Sequence, residues 1–151
     1  MTALLLASLL WIDVPFVKQA KNGCGAASVA MVLKYWRPDP VEPLLVFPDA
    51  EQKGIYASTI TRFFERHNFF SFAFPGIFFD LQEHLSKGRP LIVALQHDRL
   101  HYVVAVGLDE SFVLLNDPAD RKLRKMERAL FASRWKAAGN WTLLAVPRSG
   151  H

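Results

Sequence analysis

The sequence predicts an α+β fold, because its first half carries helical patterns and its second half carries mainly short apolar strands. The run CGAASVAMVLKYW at residues 24–36 is apolar on nearly every side, which predicts a helix buried in the core and ended by Pro38. Valine- and leucine-rich runs at 91–96, 101–108 and 112–116, separated by turn residues, predict strands of a sheet on which this helix packs.

Helix caps and turn residues predict the remaining elements, which are helices at 58–67, 81–87 and 127–137 and a closing strand at 141–146. Ser58 and Asp80 are placed to cap the first two of these helices, and Gly88 follows the end of the second. No repeat or low-complexity linker interrupts the chain. Residues 1–151 are therefore predicted to form a single domain.

The formal net charge of +4 raises the question of nucleic acid or another anionic partner. Most bases are scattered, and the one basic run consists of Arg121, Lys122, Arg124, Lys125 and Arg128. We interpret this run as a solvated connection leading into a helix, the alternative being a site for phosphate or acidic peptide. Zinc-finger spacing, a nucleotide-binding glycine loop and a recognition-helix pattern are all missing, so no nucleic-acid partner is expected.

The apolar opening of the chain, residues 1–11, resembles the hydrophobic core of a signal peptide. It lacks a basic start and a clear small-residue cleavage site, and it is too short to span a bilayer as a helix. We therefore predict a first strand or short helix packed on the domain, with a degraded or truncated export signal as the alternative. The compartment stays open, with an exported or membrane-associated location favoured over the cytoplasm.

The single cysteine, Cys24, excludes an intrachain disulfide and is either a buried apolar residue or a nucleophile. Glycines on both sides would let the chain turn sharply and let a substrate backbone come close. The start of a helix also stabilises an anion, since its N–H groups are unpaired and its dipole is positive there. This context favours a reactive thiolate, because a structural cysteine needs neither glycine.

A base and its orienting acceptor are predicted on two neighbouring strands. His101 begins one apolar strand and Asp117 follows the next, before Pro118. Counting equal distances from the Asp109-Glu110 turn puts residue 101 near residues 117–118, so the two side chains would be cross-strand neighbours. Such a pair beside a thiol is what nucleophilic catalysis requires.

Other residues compete for each of these roles. His97 is a rival base, and Asp98 and Asp109 are rival acceptors; the buried strand and the hairpin count favour His101 and Asp117. Gln19, in the loop before the cysteine helix, has an amide that could form an oxyanion hole with the backbone N–H of Cys24.

Two further features bear on function. The stretch FFSFAF at residues 69–74, followed by Phe78 and Phe79, is interpreted as a core strand, with a peptide-binding surface as the alternative. His97 and His101 are four residues apart, but they lie around a loop and a strand rather than on one helix. We therefore predict no metal and no cofactor, with a non-catalytic zinc site as the alternative.

The segments DVPFVKQ, NGCGAASVAMVLKYW, HYVVAVG and NDPA together resemble the bacterial cysteine peptidases of family thirty-nine and their stand-alone relatives. The resemblance covers nearly the whole chain and implies a papain-like fold. It also implies an active site of Gln19, Cys24, His101 and Asp117. The implied activity is that of a cysteine peptidase working through an acyl-enzyme on a peptide or protein substrate.

The resemblance has two departures. Family members in bacteriocin exporters carry a membrane-spanning region and an ATPase and cut leader peptides after a double glycine, whereas this sequence contains neither partner domain. Those exporters also have an aspartate at the position of Gly23. Two alternatives stay open, an acyltransferase with the same site and a non-catalytic peptide-binding module. The sequence leaves the natural substrate and the oligomeric state open.

Overall fold

The computed structural model describes residues 9–21, 23–37 and 57–148. The strands are β1 (Leu10–Trp11), β2 (Phe69–Pro75), β3 (Leu91–Gln96), β4 (Leu100–Leu108), β5 (Phe112–Asn116), β6 (Arg124–Glu127) and β7 (Trp141–Pro147). The helices in this part of the chain are α1 (Cys24–Trp36), α2 (Ala57–Arg66), α3 (Phe78–Ser86) and α4 (Arg128–Ala137). All strand pairs are antiparallel, in the order β2-β7-β3-β4-β5-β6, and β1 pairs with the end of β4.

Helices cover both faces of this sheet. Residues of α1 and α2, such as Val29 and Phe64, form one core, and residues of α3 and α4, such as Trp135, form the other. Because successive residues of a strand point to opposite faces, β4 contributes Val104 to the first core and Val103 to the second. The α+β prediction, with a buried cysteine helix on an antiparallel sheet, is confirmed.

Helix α1 is the most buried helix of the described chain, with every residue from Gly25 to Leu33 inaccessible to solvent. Its small and unbranched residues favour a helix and allow close packing against β4. The helix ends at Trp36, where Arg37 becomes extended and its N–H still bonds to the Leu33 carbonyl. Pro38 follows in the sequence and disfavours helical backbone at Arg37, as predicted.

Two helix starts differ from the predictions. Helix α2 begins at Ala57, so Ser58 lies inside the helix and is not its cap. Helix α3 begins at Phe78, because Ile77 is the N-cap and Asp80 lies in the first turn. The Asp80 Oδ2 atom accepts the Ile77 N–H at 2.9 Å, which satisfies one of the N–H groups that a helix start leaves unpaired.

The basic run at residues 121–128 leads into α4, as predicted, and its Arg121, Lys122 and Lys125 are exposed. Part of it is the edge strand β6, and several of its cations have partners within the chain. Lys122 pairs with Asp13 at 2.6 Å, and the Arg128 guanidinium lies 4.2 Å from the centre of the Phe78 ring. The run is therefore solvated only in part, because some of its cations also contact other residues of the domain.

The phenylalanine-rich stretch forms the edge strand β2, as predicted, but only part of it is core. Phe69 is fully buried, whereas Phe70 and Phe72 are 43% and 54% exposed. Their rings stack with centroids 6.4 Å apart, and Arg148 covers the Phe70 ring at 4.5 Å. The core interpretation therefore holds for Phe69 but not for the whole of β2, which presents Phe70 and Phe72 to solvent.

At the N terminus, the described chain enters the sheet through the short strand β1. Residues 1–8, which carry most of the apolar opening, lie outside the described residues, so the signal-peptide interpretation is not addressed by the structure. Across residues 9–21, 23–37 and 57–148, no helix has the length and apolar character needed to cross a membrane.

Replacing Gly107 with alanine should lower the free energy of unfolding by about 2 kcal/mol, because the new methyl group would collide with β1. A Cβ there would lie 2.6 Å from the Leu10 carbonyl oxygen and 2.7 Å from the Trp11 Cβ. Gly139→Ala is the control, since its Cβ would meet nothing within 4 Å and would add only the strain of φ +68°. Urea unfolding measures both, and a larger loss at Gly139 would contradict the close approach of β1.

Candidate active site

Cys24 is the first residue of α1, and no side chain caps this helix start. The unpaired N–H groups and the positive end of the helix dipole are therefore available to a negative charge at the sulfur. Gly23 precedes it and is buried, and a Cβ there would lie 3.0 Å from the Ala20 carbonyl oxygen. A side chain at residue 23 would therefore require a small shift of the turn that leads into α1.

His101 and Asp117 meet at the end of the sheet, where Nε2 of His101 lies 2.7 Å from Oδ1 of Asp117. The hairpin count predicts this proximity, but the strands pair with a different register. Val104 faces Asn116, after a bulge in β4. Continuing this register puts Asp117 opposite Val103, so its carboxylate reaches His101 along a diagonal.

The Asp117 carboxylate is buried, with only 3% of its side chain exposed. Besides His101, the Ala119 N–H donates to Oδ1 at 3.0 Å, and Arg124 Nη1 donates to Oδ2 at 2.7 Å. Burial alone would raise the pKa of Asp117, but the hydrogen bonds from His101, Ala119 and Arg124 hold that pKa below its ordinary value. Asp117 is therefore kept ionised inside the protein.

The Cys24 and His101 side chains are hydrogen-bonded to each other. Burial raises the pKa of the thiol, but the bond to His101 and the backbone N–H groups of Tyr102 and Gly25 bring this pKa below its ordinary value. Burial lowers the pKa of His101, but Asp117 and Cys24 outweigh it and raise this pKa to about 9. Both shifts favour a thiolate–imidazolium pair over the neutral pair.

Of the predicted rivals, the structure places none beside Cys24. His97 lies in the β3–β4 turn with 65% of its side chain exposed, 3.9 Å from Asp98. Asp109 closes the β4–β5 turn, because its side chain accepts the N–H groups of Ser111 and Phe112. In the described ranges, no three His, Cys, Asp or Glu side chains are grouped as metal ligands.

Gln19 is held beside the same end of the sheet through its backbone. Its N–H donates to the Pro118 carbonyl at 2.9 Å, which ties its loop to the residue after Asp117. The side-chain Oε1 is buried, and none of the described residues hydrogen-bonds to it.

Arg124 is the partner of this site that the sequence interpretation missed, because it belongs to a basic run that we take for solvated. Asn116 is a second such residue: its side chain is fully buried, donates to the Val14 carbonyl and accepts the Leu123 N–H. The Asn-Asp pair at the end of β5 was the available signal, since buried polar residues need partners.

Replacing Cys24 with alanine should make the free energy of unfolding fall by about 1–2 kcal/mol as the pH rises from about 6.5 to about 9. In the parent, Asp117 and Cys24 raise the pKa of His101 to about 9. In the variant, Asp117 alone raises this pKa, so His101 stabilises the fold below about 6.5 and loses this contribution at a pH below the parent value. In the parent, the lowered pKa of Cys24 increases the free energy of unfolding as the pH rises. This increase largely cancels the loss from His101. Urea unfolding across this range is the measurement, and equally flat profiles for both proteins would contradict it.

Solved structures share this architecture. A C39-like peptidase from Bacillus anthracis has a TM-score of 0.78 at 18% identity, covering 93% of this chain and 98% of that one. The peptidase domain of Streptococcus ComA, a bifunctional ABC transporter involved in quorum sensing, has a TM-score of 0.73 at 20% identity, covering 90% and 100%. A double glycine motif protease from an AMS/PCAT transporter, solved with the leader peptide, has a TM-score of 0.68 at 23% identity. That comparison covers 91% of this chain and 94% of that one. The fold is that of the papain-like C39 peptidase domains.

The sequence itself gives the family. The model of the Peptidase_C39 like family matches residues 11–143, which is most of the chain. The chain belongs to the Peptidase_C39 like family, and its class is that of a peptidase; the predicted resemblance is confirmed. Among curated proteins, no sequence matches this one.

Proposed function

We propose that this protein is a cysteine peptidase in which Cys24 is the nucleophile, His101 the general base and acid, and Asp117 the residue that orients His101. The observation that carries the proposal is the continuous series of hydrogen bonds from Cys24 through His101 to Asp117. It provides a nucleophile, a base beside it and an acceptor on the far nitrogen of that base.

The geometry supports a two-step reaction. The Cys24 thiolate attacks the carbonyl carbon of the peptide, and protonated His101 gives its proton to the departing amine. This leaves a thioester between Cys24 and the acyl half of the substrate. Neutral His101 then takes a proton from water, which attacks the thioester, releases the acid product and restores the thiolate–imidazolium pair. Asp117 holds the imidazole in one orientation throughout.

The oxyanion of each tetrahedral intermediate needs donors beside the sulfur. The backbone N–H of Cys24 is one, since the first N–H groups of a helix have no partner within it. We assign the side-chain N–H groups of Gln19 as the second donor, because the Gln19 loop is tied to Pro118, the residue after Asp117, at the same end of the sheet. One such donor contributes about 10²–10³ in rate.

The proposed substrate is a peptide or protein, with leader peptides as the first class to examine. A structural relative is a double glycine motif protease solved with a leader peptide, and this likeness motivates the choice. Incubation with a peptide that contains Gly-Gly, and with the matched Ala-Ala peptide, should give cleavage after the glycines only. Mass spectrometry of the products identifies the cleaved bond. Cleavage of both peptides would contradict selection for the double glycine.

Two other functions are open alternatives. An acyltransferase would pass the acyl group from Cys24 to an amine or a thiol, and mass spectrometry with an added amine would reveal that product. A peptide-binding module without turnover is favoured by one observation, the exposed rings of Phe70 and Phe72 on β2. Tight binding of a peptide that the protein never cleaves would support the function of a peptide-binding module.

Labelling Cys24 with iodoacetamide across the pH range tests the peptidase proposal without a known substrate. The parent should react rapidly well below pH 8.5, the ordinary value for a thiol. His101→Ala should lose this reactivity, because the thiolate then lacks its imidazolium. His97→Ala is the matched control and should label like the parent, since its side chain lies out in the β3–β4 turn.

Gln19→Ala separates formation of the thiolate from catalysis. It should label like the parent and turn peptide over about 10²–10³ times more slowly, because an oxyanion donor acts only after attack. A parent whose cysteine labels only after unfolding, or equally in all variants, would rule out an active peptidase. The fold would then carry a binding or structural role.

A further inference from the structure

The Asp117 carboxylate has two cationic partners, one on each oxygen. His101 bonds to Oδ1, and Arg124 Nη1 bonds to Oδ2 at 2.7 Å. The Nε atom of Arg124 also lies 3.4 Å from Asp120, which sits on the outer side of the guanidinium. Only 31% of the Arg124 side chain is exposed, so this contact with a buried carboxylate is shielded from water.

The backbone before Arg124 is held in an unusual conformation. Leu123 has φ +57°, a left-handed conformation that costs a non-glycine residue about 1–2 kcal/mol. Its N–H is bound by the buried Asn116 side chain at 3.1 Å, and the Asp117 N–H bonds to the Arg121 carbonyl at 3.0 Å. Strain that several hydrogen bonds maintain points to a role for the residue that it places.

The position of Arg124 beside Asp117 matters in the proposed reaction. His101 loses its proton when it protonates the leaving amine, and at that moment it no longer compensates the buried charge of Asp117. A buried carboxylate without a cation is costly and tends to take up a proton. Arg124 stays charged at every step, so it keeps Asp117 ionised and turned towards His101 in both states of the imidazole.

We propose that Arg124 is a positioning residue of the peptidase site, a permanent cation that fixes the Asp117 carboxylate and lets His101 release its proton. The inference rests on the proposed function and adds a residue to it. It also accounts for the one cation of the basic run that is bonded to a buried carboxylate.

The charged and titratable groups around the Asp117–Arg124 pair determine how the pKa of His101 changes when Arg124 is replaced. They are Cys24 from α1, His101 and Tyr102 from β4, and Asp117, Asp120 and Arg124 from β5 to β6. Without Arg124, protonated His101 becomes the only cation bonded to Asp117, so its proton is held more tightly. If Arg124 only packed against Asp117, its loss would loosen Asp117 and lower the pKa of His101 instead of raising it.

NMR titration of His101 and peptide turnover, measured on the folded protein, test the proposal. In Arg124→Gln, the His101 midpoint should move up by about one pH unit, and kcat should fall about 10-fold with little change in KM. Arg124→Lys, which keeps the charge, should restore the parent midpoint. Lys122→Gln is the matched control: it removes one cation from the same loop, but that cation pairs with Asp13, so both readouts should stay at parent values.

A His101 midpoint that stays in place or moves down in Arg124→Gln would overturn the proposal. If that variant does not fold, the parent protein provides the test. The chemical shift of the Arg124 guanidinium should change with the same midpoint as His101. A chemical shift that does not change at that midpoint would overturn the proposal. A parent that titrates as expected but never turns over peptide would instead overturn the proposed function. The two failures are therefore distinguishable.

Discussion

Replacing Cys24 with serine should reduce peptide turnover by about 10³-fold or more while the protein stays folded. The hydroxyl loses its proton far less readily than the thiol, so His101 cannot maintain an ionised pair with it. The two side chains are nearly equal in size, and Cys24 lies at the partly exposed start of α1, so the core changes little. Turnover under saturating peptide and circular dichroism are the measurements.

Ser28→Ala is a matched control one helical turn along α1. Its hydroxyl is fully buried and has no hydrogen-bond partner among the described residues, so its removal should leave turnover at the parent level. Cys24→Ser should still bind the peptide, since the oxyanion donors and the surrounding surface remain. Turnover that survives in Cys24→Ser would show that the thiol is not the nucleophile.

Replacing Asp117 with asparagine should lower turnover by about 10²–10⁴-fold and shift labelling of Cys24 to higher pH. The carboxylate is the acceptor for both His101 and Arg124, and a neutral amide can present an oxygen to only one of them. Without the negative charge, the pKa of His101 falls from about 9, so the imidazolium that stabilises the thiolate is lost near neutral pH. The pH dependence of labelling and kcat measure these effects.

The same substitution should cost stability, because it leaves the Arg124 charge without its buried partner; breaking such a pair costs about 3–5 kcal/mol. Labelling and turnover are therefore measured at a temperature where urea unfolding shows Asp117→Asn to be folded. Asp109→Asn is the control carboxylate, since it closes a turn and makes no contact with Cys24 or His101. Equal loss of turnover in both variants would argue against an orienting role for Asp117.

Much of the fold follows from local sequence. The helix at residues 24–36 and the strand at 112–116 occur with the predicted bounds, because an apolar run ended by proline and a valine-leucine run between turns each have one stable solution. The start of α3 was placed too late, since Asp80 acts from within the first turn and the cap is an apolar residue. Strand β6 was missed because charged residues surround its one buried side chain, Met126.

The residues of the candidate site could also be predicted only in part from the sequence. Cys24, His101, Asp117 and Gln19 could be proposed from their positions beside glycines, strand ends and loops, and the structure brings the first three into one series of hydrogen bonds. Their catalytic roles stay predictions until the substitutions are made. The sequence could not show that the Asp117 carboxylate is shared with Arg124, because that contact depends on the course of the 117–123 loop.

The sequence by itself determined the α+β class, the family and the small set of residues able to carry the chemistry, because these depend on local patterns of apolar, glycine and reactive residues. Only the tertiary structure decided which of them meet. The bulge in β4 sets the register that brings Asp117 diagonally to His101, and the left-handed Leu123 directs Arg124 to the same carboxylate. Strand register and loop course are set by packing across the whole sheet, so no single stretch of the chain encodes them.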